Sequence, residues 1–198
     1  MERPVGQELL RRFSDFQLTE SSGHSSEYIA SDNSNGTLVD LTVLRPYFSE
    51  YQDGISKFFG RIEALQKLNH PNVHTPISFG ESDGQILFAV PHLTGETLST
   101  VIENGKINFK LMEIIIHQLA TCVDFLASQG IQHGDLTPEN ILITESGEIK
   151  ISRFGITELV HELHALLRTT IRVPDPHYSA PELLQHQLSG VQTQYPHR

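Results

Sequence analysis

The sequence predicts an α+β fold in which a β-rich first half is followed by a helical second half. Up to Val90, short apolar runs alternate with turn residues, as in a meander of strands. Between residues 109 and 126, apolar residues recur at the spacing of one long amphipathic helix. The chain has 198 residues, of which 38% are apolar, and this suffices for about one domain with its own core.

The first half contains five predicted strands and one predicted helix. The strands are expected at residues 16–19, 27–30, 37–44, 75–79 and 86–91, separated by polar or turn-forming segments. The helix is expected at 54–68, where six apolar residues recur at helical spacing before Asn-His-Pro-Asn ends the pattern.

The second half changes character at Gly95. After the long helix come two short apolar runs, 141–143 and 149–151, joined by Thr-Glu-Ser-Gly. This pattern predicts a β-hairpin.

Charge and cysteine content exclude several classes of function. The chain has 14 Lys and Arg against 24 Asp and Glu, a net charge of −10, so we expect no nucleic-acid partner. Cys122 is the only cysteine, which excludes an intrachain disulfide and favours a cytoplasmic location. The long helix carries Lys110, Glu113 and Asp124, so we expect no membrane span.

The segment His-Gly-Asp-Leu-Thr-Pro-Glu-Asn, residues 133–140, carries the candidate chemistry. Asp135 could accept a hydroxyl proton, and Asn140 could ligate a divalent metal. Both residue types are also common in turns, so a purely structural role for the pair is the alternative.

With its flanking sequence this segment resembles the catalytic loop of the eukaryotic-like (Hanks-type) Ser/Thr protein kinases, with the family's Asp-to-Asn spacing. Four other landmarks occur in the family's order. Val-Asp-Leu-Thr (39–42) stands for Val-Ala-Ile-Lys, Leu-Asn-His-Pro-Asn-Val (68–73) resembles the end of the regulatory helix, Ser-Arg-Phe-Gly (152–155) contains the Asp-Phe-Gly position, and Ala-Pro-Glu (180–182) closes the activation segment.

The resemblance implies a protein-kinase-like two-lobe fold with an incomplete helical C-lobe. Its divisions would be an extension at 1–15, an N-lobe at 16–90, a hinge at 91–95, a partial C-lobe at 96–184 and a tail at 185–198. The apolar helix that follows Ala-Pro-Glu in the family has no counterpart in the sequence. The expectation is therefore a C-terminally truncated chain.

The departures from the family pattern concern its catalytic residues. Thr42 stands where the resemblance places the phosphate-binding lysine, Arg61 where it places the partner glutamate, and Arg153 where it places the metal-binding aspartate. Two acidic residues, Glu27 and Asp40, replace apolar residues that would touch the adenine.

Only a few of the family's nucleotide-binding positions are retained in the sequence. Gly23 remains in the loop that is glycine-rich in the family, and Val90 and Leu93 stand at hinge positions that could hold an adenine-like molecule. Arg61 and Arg153 are either solvated or pair with Asp135 or Asp40 to fill the cleft. We expect no metal site, because His161 and His164 fit a surface helix better than a metal motif.

The most consistent hypothesis is a catalytically inactive pseudokinase that signals by binding another protein, either a true kinase or its substrate, and needs no cofactor. The first alternative is a weak, atypical Ser/Thr protein kinase that uses ATP and Mg²⁺ through Asp135 and Asn140. The second is a truncated fragment without a function. Five apolar residues of the long helix are expected to be exposed and to promote self-association: Met112, Ile115, Ile116, Leu119 and Val123.

Overall fold

The structure is a computed structural model, which describes residues 11–23, 25–46, 51–82, 85–156, 159 and 177–178. The first half forms a five-stranded antiparallel sheet in the order β1-β2-β3-β5-β4. Its strands are β1 (Phe13–Ser21), β2 (Ser25–Asp32), β3 (Leu38–Leu44), β4 (Ser78–Ser82) and β5 (Gln85–Pro91). All five strands were predicted, with β1 and β2 longer than the sequence pattern indicated and β4 three residues further along.

Helix α1 (Gln52–Gln66) packs on this sheet through its apolar side. Ile55, Phe58 and Ile62 are buried against β-strand residues such as Ile86 and Phe88. The Phe58 and Phe88 rings meet edge to face, with centroids 5.8 Å apart. The helical period of the sequence therefore reports a real core interface.

The second half comprises a small sheet and two helices. These elements are β6 (Gly95–Thr97), α2 (Leu98–Glu103), α3 (Phe109–Ser128), a 3₁₀ turn (Pro138–Asn140), β7 (Ile141–Thr144) and β8 (Ile149–Ile151). Strand β6 was not predicted; it pairs antiparallel with β7 and completes a three-stranded sheet. A Cβ on Gly95 would lie 2.3 Å from the Ile143 carbonyl oxygen, so this close pairing requires glycine.

Helix α3 is buried on one side and open on the other. Phe109, Met112, Ile116 and Val123 are 77%, 40%, 58% and 42% exposed, as expected for three of them. The prediction was wrong for Ile115, which is buried against α2, β7 and β8, because its position, about 100° around the helix from Ile116, faces those elements. It was also wrong for Leu119, which is half-buried and packs against the same cluster.

The membrane prediction also concerns α3. By length and apolarity this 20-residue helix would satisfy the criteria for a membrane span, although Ile115, Cys122 and Leu126 are packed in the protein core. The absence of a membrane partner stays a prediction.

The loop after α1 fastens the first half to the second. The buried Asn72 side chain donates from Nδ2 to the Ile149 carbonyl (2.9 Å) and to Oε1 of Gln118 in α3 (2.7 Å). Val73 forms a parallel bridge with Ile151. The two sheets are therefore linked at a point far from residues 91–95 in sequence.

Candidate functional site

The loop between α3 and β7 holds Asp135 and Asn140 together. Asn140 is buried, and its Nδ2 donates to the Asp135 carbonyl (2.8 Å) and lies 3.3 Å from the Asp135 carboxylate. The half-buried Asp135 side chain therefore lies beside Asn140, its partner in the sequence motif. The structure brings the two predicted catalytic residues into contact.

His133 supports this loop from inside the core. Its Nδ1 accepts a hydrogen bond from the Asp135 backbone N–H (3.2 Å), so the neutral ring donates from Nε2 to the Ser152 carbonyl (2.7 Å). Burial lowers the pKa of His133, and the ring packs on Phe154 with centroids 4.5 Å apart. These contacts are those of a structural support and do not suit a proton shuttle.

Arg153 points from this loop region toward the five-stranded sheet. Its guanidinium forms an ion pair with Glu27 of β2, and Nη2 lies 3.9 Å from the Glu20 carboxylate. Of the two alternatives for Arg153, a solvated side chain or a pair with Asp135 or Asp40, neither describes the contact: the guanidinium is paired with Glu27, and Asp40 contacts His92. The guanidinium occupies the side of the loop where the sequence comparison placed a metal ligand.

The backbone at Arg153 has an unusual conformation. Arg153 has φ = 63°, a left-handed value that costs a non-glycine residue about 1–2 kcal/mol. Phe154, which follows, is buried against Leu65 of α1. Packing of Phe154 therefore holds the preceding residue in this conformation and fixes the direction of Arg153.

Arg61 of α1 lies next to Gly155, two residues after Arg153. A Cβ built on Gly155 would be 2.5 Å from Arg61 Nη1, so the guanidinium packs directly over that glycine. Its positive charge also contributes to lowering the pKa of His133, after the larger effect of burial. A cation thus stands near the catalytic loop where the family pattern would place a glutamate.

The sheet side of the cleft carries the remaining substitutions. In the strand register Thr42 lies opposite Glu27 on one side and Phe88 on the other, so the Thr42 and Glu27 side chains share one face. Gly23 lies in the exposed turn between β1 and β2, where nothing would meet an added Cβ within 4 Å.

The hinge region contains two contacts that sequence reasoning missed. Asp40, opposite Val90 in the sheet, has its Oδ1 2.6 Å from His92 Nδ1. The buried His74 has its Nε2 2.8 Å from the Pro91 carbonyl, and burial lowers the pKa of His74, which leaves a neutral donor for that oxygen. The first contact follows from the antiparallel pairing of β3 with β5, which brings Asp40 and His92 to the same end of the two strands.

The structure describes both predicted hinge residues but only some of the remaining motifs. Val90 and Leu93 are both half-buried. Within the described ranges, no group of three or more His, Cys, Asp or Glu side chains is arranged to hold a metal. Ala-Pro-Glu at 180–182 and the pair His161 and His164 lie outside the residues that the structure describes.

A five-stranded sheet with one packed helix, joined through a short hinge to a helical part that carries a His-x-Asp loop and a β-hairpin, defines a two-lobed kinase-like domain. The family model described as protein kinase domain matches residues 28–195. The chain therefore belongs to the protein kinase domain family. The recognition from the sequence motifs and the predicted fold class are confirmed.

Relatives of known name include bacterial Ser/Thr kinases. The chain is 29% identical to the serine/threonine-protein kinase PknA of Mycobacterium tuberculosis over 198 residues, covering 96% of this chain and 46% of PknA. It is 32% identical to a probable serine/threonine-protein kinase PknB of Lactococcus lactis, covering 79% of this chain and 25% of that protein. The chain thus spans less than half the length of these curated relatives.

A solved structure of a kinase domain has the same fold as this chain. The PknI kinase domain of Mycobacterium tuberculosis superposes with a TM-score of 0.62 at 21% identity, over 79% of this chain and 62% of that one. The similarity supports the two-lobe architecture described above.

Proposed function

We propose that this kinase-family domain does not transfer phosphate and that it functions by binding another protein. The observation that carries the proposal is the direction of Arg153. At the position that the family uses for a metal-binding carboxylate, the chain has a guanidinium that is paired with Glu27 of β2. A cation there repels Mg²⁺ and removes one of its oxygen ligands.

The sheet side of the cleft supports the same proposal. Thr42 supplies a hydroxyl group in place of the lysine ammonium that would contact the nucleotide phosphates. Glu27 lies directly opposite Thr42, so a carboxylate faces the region that a triphosphate would occupy. Bringing a triphosphate to this face carries a cost in both charge repulsion and desolvation.

The hinge offers an adenine little to bind. Its Pro91 carbonyl, the acceptor that an adenine amine would use, already interacts with His74. The Asp40 carboxylate, which replaces an alanine in the family pattern, is held at the hinge by His92. A purine would therefore have to share the Pro91 carbonyl with His74 or displace it, and it would lie close to the Asp40 carboxylate.

A second candidate is a weak, atypical Ser/Thr protein kinase, which the retained contact between Asp135 and Asn140 favours. The test is a transfer assay with radiolabelled ATP, Mg²⁺ or Mn²⁺ and a generic protein substrate. We expect no label on the substrate or on the chain itself. A label that the Asp135→Asn variant abolishes and that the Lys106→Gln surface variant retains would establish the atypical kinase instead.

The proposed protein contact includes the open face of α3. Phe109, Met112, Ile116 and Val123 form an exposed apolar surface on one helix, and monomers rarely leave such a surface unprotected. Without its partner the chain should self-associate through this face.

Sedimentation velocity over a dilution series tests this proposal. The Ile116→Glu variant should shift the chain toward monomer, whereas Leu18→Glu, at an equally exposed leucine of β1, should not. A stable, dilution-independent monomer that binds no hydrophobic dye would contradict the proposal.

A further inference from the structure

Arg153 and Glu27 are 126 residues apart in sequence and form an ion pair across the cleft. Glu27 belongs to β2 of the five-stranded sheet, and Arg153 follows β8 of the three-stranded sheet. Glu20 of β1 lies 3.9 Å from the same guanidinium and adds negative charge on the sheet side. The contact therefore joins the two parts of the molecule through charged side chains.

The two partners are held in place from opposite sides of the cleft. Glu27 is fixed by the pairing of β2 with both β1 and β3. Arg153 is fixed by its left-handed backbone and by the buried Phe154 that follows it. The backbones of both partners are thus held in place, while the partly exposed Arg153 side chain still loses freedom when the pair forms, so the pair has the modest strength of a partly exposed ion pair.

We propose that this pair is an internal clamp that closes the two lobes without a bound ligand. In the family pattern, a metal ion and nucleotide phosphates connect these same two regions. Here a side chain from each region makes the connection directly. The proposal is independent of whether phosphate is transferred, because it concerns only the distance between the lobes.

Closure of the two lobes also reduces the repulsion between carboxylates on the sheet side of the cleft. Glu20 and Glu27 would face each other and the rest of the cleft as uncompensated carboxylates if Arg153 were absent. The clamp thus neutralises the sheet side of the cleft with a charge supplied by the opposite lobe. Loss of either charge should favour opening, and loss of the second should add little.

Distance measurement by double electron–electron resonance tests the clamp. Spin labels are placed at Leu18→Cys in β1 and Glu145→Cys in the turn after β7, both exposed. The native Cys122 is fully buried and remains unlabelled. The background chain is compared with Glu27→Gln, Arg153→Gln and the double variant, and circular dichroism verifies that each is folded.

We expect one narrow distance distribution in the background chain. Each single variant should raise the ratio of long to short distances by about two- to fivefold, the range of a partly exposed ion pair. The double variant should be no more open than Arg153→Gln alone, because Arg153→Gln already removes both the pair with Glu27 and the weaker contact with Glu20. The charge-reversed variant, Glu27→Arg with Arg153→Glu, should restore the narrow distribution.

The matched control is Lys106→Gln, which breaks the exposed ion pair between Lys106 and Glu96 within the helical part. It should leave the distances unchanged. Effects of Glu27→Gln and Arg153→Gln that multiply in the double variant would overturn the clamp, as would a background chain that is already as open as the variants. If the charge-reversed variant does not fold, comparison of the single and double variants still decides.

Discussion

Mg²⁺ with ATP should leave the thermal unfolding of the chain unchanged, since Arg153 stands where the metal would bind. A unit positive charge about 4 Å from a divalent cation costs roughly 2 kcal/mol at the dielectric constant of water and roughly 8 kcal/mol at an effective value of 20. Arg153 is 41% exposed, so the lower part of this range applies. Even about 2 kcal/mol weakens binding roughly 30-fold, before the missing carboxylate ligand is counted.

Differential scanning fluorimetry is sensitive enough for this prediction. A ligand at 100 times its Kd stabilises a protein by about 2.7 kcal/mol, and each kcal/mol moves the Tm of a domain of this size by roughly 2–4 °C. A bound nucleotide would therefore shift the Tm by several degrees. Titrations with ATP, in Mg²⁺ and in EDTA, should superpose.

Two substitutions of Arg153 test whether its positive charge prevents the binding of Mg²⁺ and ATP. Arg153→Gln removes the cation, and Arg153→Asp also returns a carboxylate ligand. Any Mg²⁺-dependent shift should rise in the order wild type, Arg153→Gln, Arg153→Asp, and should be greatest when Thr42→Lys is added. A clear Mg²⁺-dependent shift in the wild-type chain would refute the reasoning.

The remaining predictions concern buried titratable groups. Burial lowers the pKa values of His74 and His133, so the unfolded chain binds more protons near pH 6, and urea denaturation should show stability falling as the pH drops below about 6.5. Replacing either histidine by Asn should flatten that pH dependence, and an unchanged slope would contradict it. The hydrogen bond from Arg12 lowers the pKa of the buried Asp32 to about 2 from 3.8. This contribution is complete above about pH 4 and disappears as the pH falls through about 2, so Arg12→Ala should destabilise the chain by about 1–2 kcal/mol at pH 7 and much less in acid. Burial raises the pKa of the Cys122 thiol to about 11, and Ellman's reagent should react with it only after unfolding.

The strands, the two principal helices and the catalytic loop could be predicted because local patterns determine them. Apolar spacing located α1 and α3, and a motif of eight consecutive residues identified Asp135 and Asn140 as a pair, whereas their contact came from the structure. Strand β6 was missed because it has three residues, begins with glycine and depends on pairing with β7, some 45 residues later in the chain. The residues of the partner strand β7, and not the composition of β6 itself, determine that β6 forms.

The contacts across the cleft were beyond sequence reasoning for a different reason. The sequence showed that Arg153 was a cation in a metal position, but its partner depended on the left-handed backbone that directs it to Glu27. In the same way, the sequence showed a carbonyl at Pro91 but not that His74 would occupy it, because His74 arrives from the loop after α1. Side-chain direction is fixed by the packing of several elements at once.

The attachment of the loop after α1 to the hairpin has a consequence for cooperativity. The Ile151 backbone N–H donates to the Asn72 carbonyl (2.8 Å), and the His74 N–H donates to the Ile151 carbonyl (2.8 Å), so the loop after α1 is hydrogen-bonded to β8 of the second sheet. Opening either part would break these bonds and expose the buried Asn72 amide. The amide protons of His74 and Ile151 should therefore exchange at rates that rise and fall together, and the unit that unfolds locally would include residues from both lobes.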